Sequence, residues 1–141
     1  MKIANELLTL AREHHFSLSL GNKCVNTAKS GDTKAIKDLC QKISKTFRND
    51  FSAHFETEEL TIFAFLKDKS IELSVLCKQL TDEHQQLYQL AEHLDSHTEQ
   101  LLTFGSLLKS HTRLEDRMLF PQVDLLSGDE KKIIAKSSLH Q

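Results

Sequence analysis

Apolar residues recur at three- and four-residue intervals in four long blocks, and nowhere do they alternate with polar residues over a strand-length run. That period belongs to helices packed along one face, so the chain is expected to be all-α. One proline and four glycines agree with this, being too few breakers for many short strands and tight turns.

The punctuation places the boundaries. A first helix is expected over about 3–29, stopped by Ser30-Gly31-Asp32, and a second over about 33–67, stopped by Asp68-Lys69-Ser70. A third covers about 71–94. A fourth starts at Asp95-Ser96, where Ser96-His97-Thr98-Glu99 has the form of a capping box, and runs to about Pro121. A short last helix is expected over about 129–136, followed by a polar tail. Connections this short make consecutive helices antiparallel neighbours, which predicts an up-down-up-down antiparallel four-helix bundle with a short C-terminal helix. No linker divides the 141 residues, and one domain over 1–141 is expected.

Bulk composition narrows the function classes. The net charge of −2 comes without a dense basic patch, so neither a nucleic acid nor a membrane surface is an expected partner. No window approaches the length of a membrane span, and Cys24, Cys40 and Cys77 form no CxxC pair. A cytoplasmic protein with reduced, packed thiols is expected. Surface patches cannot be judged without a fold, which leaves the oligomeric state open.

The stretch HTRLEDRMLFP, residues 111–121, does not fit a plain helical bundle, because His111 and Glu115 share a stripe with Leu107, Leu108, Leu114 and Met118. It is also repeated. HFETEELTIF from residue 54 matches it at the histidine, at a glutamate four residues on, at an acid after that, and at a later phenylalanine. A second pair, HFSLSL from 15 and HQQLYQL from 84, shares the form HxxL. Counting from the turns puts His15, His54, His84 and His111 at one level near the middle of the bundle.

The helical wheel points most of them inward. Ile36, Cys40, Ile43, Phe47, Phe51, Glu58 and Phe65 fall within about 60° of His54. Leu73, Cys77, Leu80, Leu87, Tyr88 and Ala91 do the same for His84. In the first helix the apolar mean falls between His14 and His15, and the repeat selects His15. His93 and His97 point away and belong to a solvated face, and His140 lies in the tail.

Buried carboxylates at Glu58 and Glu115 need compensation, since each costs several kcal/mol if left unpaired. No lysine or arginine lies on the inward stripes. Two divalent cations would serve, with Glu58 and Glu115 bridging and four neutral imidazoles giving two nitrogen ligands to each. Imidazole and carboxylate without thiolate suits iron, with manganese or zinc as possible substitutes. Iron is preferred because two bridged irons exchange electrons with a diatomic ligand.

In their order and spacing, His15, His54-x-x-x-Glu58, His84 and His111-x-x-x-Glu115 resemble the H...HxxxE...H...HxxxE pattern of the hemerythrin-like HHE cation-binding domain, over about residues 10–125. The resemblance implies a four-helix bundle around a non-haem di-iron centre that reacts with oxygen or nitric oxide. Carried over by position, the ligands are His15, His54, His84 and His111, with Glu58 and Glu115 as bridges. Oxygen-carrying hemerythrins place a further histidine where this chain has Tyr88, and an aspartate where it has Glu115. The four-His, two-Glu set looks more like that of proteins that repair iron centres after nitrosative stress. A ferritin-type centre is excluded, since no histidine here has a glutamate three residues before it.

The expected function is therefore cytoplasmic binding or sensing of oxygen or nitric oxide at two irons. The alternatives are a di-iron oxidase, peroxidase or nitric-oxide-consuming enzyme, with Tyr88 beside the centre as its prompt, and iron storage or donation.

Overall fold

A computed structural model describes residues 7–139. The expected start of the first helix at residue 3 and the tail histidine His140 lie outside the described residues. Helix α1 spans Leu8–Ser30, and Gly31 closes it in the left-handed conformation (φ 71°) that a residue without Cβ adopts freely. Helix α2 spans Thr33–Thr57, with the Asp32 carboxylate accepting from the Ala35 N–H. It continues through a π-helical segment, Glu58–Phe63, into a last turn at Ala64–Leu66. Helix α3 spans Ile71–Glu92 behind the Ser70 cap. Helix α4 spans Thr98–Leu114, continues as a second π-helical segment at Glu115–Leu119, and tightens to a 3-10 turn at Phe120–Leu125 with Pro121 in its first turn. Helix α5 spans Gly128–Leu139.

Two local expectations are corrected. The capping box forms at Ser127 and Glu130, whose side chains and backbone N–H groups bond reciprocally, and not at Ser96 and Glu99. Ser96 instead takes a left-handed conformation (φ 62°), while the Gln100 side chain accepts from the Asp95 N–H. Met118, expected on the inward stripe of α4, is 54 % exposed. A π-helical turn takes up one more residue than an α-helical one, so beyond Glu115 the buried phase passes to Leu119 and Phe120. The same delay after Glu58 buries Phe63.

The helices meet along four seams. Phe16 of α1 stacks on Phe51 of α2, Arg48 of α2 pairs with Glu92 of α3, and Glu83 of α3 bonds His111 of α4. The α1–α4 seam is the tightest, because Gly21 and Gly105 face each other: a Cβ on Gly105 would sit 2.6 Å from the Cys24 Cβ and 2.9 Å from the Gly21 carbonyl oxygen. The apolar interior is split in two. One cluster gathers Cys24, Phe47, Phe55, Leu87 and Leu108, and the other Leu10, Ile62, Leu80, Leu119 and Phe120. Along every one of the four long helices the histidine lies between a residue of the first cluster and one of the second. A polar layer thus crosses the middle of the bundle.

Candidate metal centre

Six side chains form that layer: His14, His54, Glu58, His84, His111 and Glu115, all at most 3 % exposed. They divide into two overlapping groups, His14, His54, Glu58 and Glu115, and Glu58, His84, His111 and Glu115, within each of which one ligand-capable atom per residue lies within 4.8 Å of the others. Both glutamates belong to both groups, as bridges between two sites would. Glu58 reaches His54 Nε2 at 3.2 Å, His84 Nε2 at 3.1 Å and His14 Nε2 at 3.6 Å; Glu115 reaches His14 Nε2 at 3.1 Å and His111 Nε2 at 3.5 Å. Each glutamate also opens a π-helical segment. The expanded turn is common at functional sites, where it re-aims side chains that a regular helix would direct elsewhere.

His15 is not in the cluster. It is exposed, and its neighbour His14 takes the place assigned to it. The buried stripe of α1 runs through Leu10, His14, Ser17, Gly21, Cys24 and Ala28. Ser17 and Gly21 carry no hydrophobic signal, since their small size serves the close α1–α4 seam. Leu8, at 40 % exposure, pulls an apolar average the wrong way. The five other expected ligand residues lie together as the wheel directed them.

Around the six lies a ring of carboxylates that hydrophobic patterning did not single out. His14 Nδ1 bonds Asp116 at 2.7 Å, His111 Nδ1 bonds Glu83 at 2.8 Å, His84 Nδ1 bonds Glu59 at 2.6 Å and His54 Nδ1 bonds Glu13 at 3.0 Å. With Nδ1 turned outward to a carboxylate, Nε2 is the nitrogen of each ring that faces the centre, and once it gives up a proton the ring has the tautomer a metal ligand requires. Every bond crosses a different seam, α1 to α4, α4 to α3, α3 to α2 and α2 to α1, so the circuit closes on itself. The sequence does carry a signal for it: the dipeptides Glu13-His14 and Glu83-His84, and the acid pairs Glu58-Glu59 and Glu115-Asp116, repeat alongside the ligands. The first pairing also separates His14 from His15.

Aromatic rings cover part of the layer. Phe55 stacks on His84 at 3.8 Å between centroids, Phe63 covers His84 from 5.5 Å, and Phe120 stacks on His14 at 4.9 Å. Tyr88, expected as a neighbour of the centre, packs edge-on against Phe47 and Phe55, and the Arg48 guanidinium sits 4.0 Å over its ring. Of these two rings, Phe55 in turn stacks on His84.

The electrostatics are those of a cluster built around positive charge. Burial lowers the pKa of His54 and His84, but the surrounding carboxylates, Glu58 foremost, outweigh it and hold both at about 9. His14 is likewise held well above the usual imidazole value, against burial, by Asp116, Glu115 and Glu58. Burial pushes Glu58 upward, yet His54, His14 and His84 bring it well below the carboxylate range. Burial and the charge on Glu58 leave Glu115 raised.

Even so, four buried atoms make no hydrogen bond: His14 Nε2, His111 Nε2, Glu58 Oε2 and Glu115 Oε2. A buried polar group left without a partner costs about 1–3 kcal/mol. All four are atoms that bind divalent cations, and they belong to the two groups described above, so the residues fit a metal centre.

The comparisons agree with the geometry. A family model described as the hemerythrin HHE cation-binding domain matches residues 7–123. No curated protein and no solved structure matches the chain. Among the described residues no helix is long and apolar enough to cross a membrane.

Proposed function

The chain belongs to the hemerythrin HHE cation-binding family, whose members bind metal ions, usually iron, and from that premise we propose that it holds two irons and binds a diatomic ligand, oxygen or nitric oxide, in the cytoplasm. The ligands in this reading are His14, His54, His84 and His111, with Glu58 and Glu115 shared; manganese or zinc can occupy the same donors. The helix pairings support an up-down-up-down antiparallel bundle forming one domain. The observation that carries the proposal is the set of buried, unbonded Nε2 and Oε2 atoms aimed into one layer.

Bound iron would supply free coordination positions and exchangeable electrons for a diatomic ligand. The protein's own residues do the rest. Glu13, Glu59, Glu83 and Asp116 hold the Nδ1 protons and fix the orientation of each ring. Glu58 and Glu115 contribute two negative charges that offset the cations. Phe55, Phe63 and Phe120 stack on the imidazoles and keep water from that side of the layer. To act as ligands, His14, His54 and His84 would have to give up the protons they hold in the metal-free state.

The test is metal analysis of the protein after anaerobic loading with ferrous iron and desalting, followed by absorption spectra before and after exposure to oxygen or nitric oxide. About two irons per chain and new charge-transfer bands are expected. Far less iron, or spectra indifferent to both gases, would overturn the reading.

A further inference from the structure

The two halves of the cluster are unequally covered. His84 has the phenylalanine rings Phe55 and Phe63 against it, Phe120 stacks on His14, and the α1–α4 seam is closed two turns beyond His14, at Gly21 and Gly105. The α1–α2 seam is open by contrast. Two hollows of about 220 and 260 Å³ lie along it, and they share Phe16, Asp50 and Phe51, which makes them one groove. At its inner end the groove is lined by Glu13 and His54, the one hydrogen-bonded pair of the circuit that these hollows reach.

We propose that this groove is the route by which a small uncharged ligand reaches the cluster, arriving on the His54 side. The chemistry of the lining selects the traffic. Leu20, Leu39, Ile43, Phe47 and Phe51 give the outer length an apolar floor that an ion would have to cross without its water, while the charged groups that also line it, Lys23, Lys42 and Asp50, are exposed to solvent. Glu13 and Asp50, against a single Arg12, give the inner end a net negative lining that opposes small anions. A neutral diatomic gas meets neither barrier. Phe16, 52 % exposed and stacked on Phe51 at 5.6 Å, lies across the seam at the junction of the two hollows and acts as the lid.

This inference rests on the metal-centre reading for its purpose, but its test separates the two. In the metal-free full chain under oxygen pressure, dissolved oxygen is the paramagnetic probe. The methyl resonances of Leu39 and Ile43, which are 6 % and 2 % exposed, are expected to broaden more than those of Leu101 and Leu108, which are 0 % exposed on α4. Equal broadening would overturn the route. In the iron-loaded, reduced protein, stopped-flow combination with nitric oxide is expected to slow several-fold in Phe16→Trp and to accelerate in Phe16→Ala, with iron content unchanged. Because Phe16 is half exposed, neither variant endangers the fold. Full iron with unchanged rates in both variants would refute the route and leave the metal centre standing; a chain that takes up no iron would refute the metal centre, while the oxygen experiment still decides the route.

Discussion

His14 and His15 are adjacent, chemically identical, and opposite in environment, so replacing each with alanine separates a site residue from a surface one. His14 is 3 % exposed, stacks on Phe120, bonds Asp116 through Nδ1, and sets Nε2 3.1 Å from Glu115 and 3.6 Å from Glu58. In the metal-free protein its imidazole carries positive charge against those carboxylates. Its loss leaves Glu58 and Glu115 facing each other with one cation fewer and opens a cavity beside Phe120. Breaking a buried ion pair by removing one partner costs about 3 kcal/mol or more, which for a domain of this size corresponds to a fall in Tm of about 10 °C. His15→Ala removes an exposed side chain, and a change within about 0.5 kcal/mol is expected. Iron loading sharpens the contrast. His14→Ala leaves one half of the centre with His54 and the two shared glutamates, and iron content is expected to drop toward half, while His15→Ala matches the parent protein. The assays are thermal melting of the metal-free proteins and iron determination after loading and desalting. If His15→Ala lost iron and His14→Ala kept it, the assignment of α1's ligand, and the helical phase behind it, would be refuted.

Three further outcomes follow from the same geometry. Replacing Glu59 or Glu83 with glutamine keeps the shape but removes the charge that His84 or His111 donates to, and iron affinity measured by chelator competition is expected to fall about 10- to 100-fold, with a smaller loss of metal-free stability. The pH dependence of the metal-free and loaded proteins should diverge. His54 and His84 are held at about 9, above the unfolded value near 6.5, so the stability they contribute is complete below pH ~6.5 and is lost as pH rises through about 9, whereas metal binding is favoured by the same deprotonation. The gap in Tm between loaded and metal-free protein is therefore expected to widen from pH 6 to pH 9, and a gap that narrows would contradict the scheme. Gly105→Ala forces a Cβ to within 2.6 Å of Cys24, so α1 and α4 must separate; a loss of about 2 kcal/mol in chemical denaturation is expected even though alanine is the better helix former.

Much of this arrangement was legible in the sequence, and the parts that were not have definite physical causes. Helix boundaries followed from breakers and caps, and five of the six cluster residues followed from a helical wheel plus an internal repeat. The wheel assumes 100° per residue throughout, and that assumption fails after Glu58 and Glu115, where an expanded turn shifts the phase and puts Met118 outside and Phe63 inside. A hydrophobic average also misplaces a helix packed through small residues. On α1 the buried stripe includes Ser17 and Gly21, so the average fell between His14 and His15, and the HxxL match between residues 15 and 84 then selected the wrong one. Of the outer carboxylates, hydrophobicity carries no trace; their signal is the repeated neighbour relation of an acid and a histidine, which acquires meaning once the four helices are seen to exchange partners.

That exchange also explains how so polar a layer persists between two apolar clusters. A histidine bonded to an acid of its own helix would satisfy itself and leave the helices free to slide. Here each Nδ1–H crosses a seam to the neighbouring helix, and the four bonds return to their starting point, so a shift of one helix along its axis breaks two bonds at once. The outer acids are part-exposed, Glu13 at 34 %, Glu59 at 32 % and Asp116 at 39 %, so they keep some hydration and each bond costs less than burying a full ion pair. The inner glutamates have no such relief: Glu58 and Glu115 are 0 % and 1 % exposed. Protons shared with the imidazoles can compensate them, but the unbonded Oε2 and Nε2 atoms mark the geometry those protons fail to satisfy. The outer circuit thus sets the level and orientation of the rings whether or not metal is present, and the inner pair supplies the unmet demand that gives a cation its binding energy.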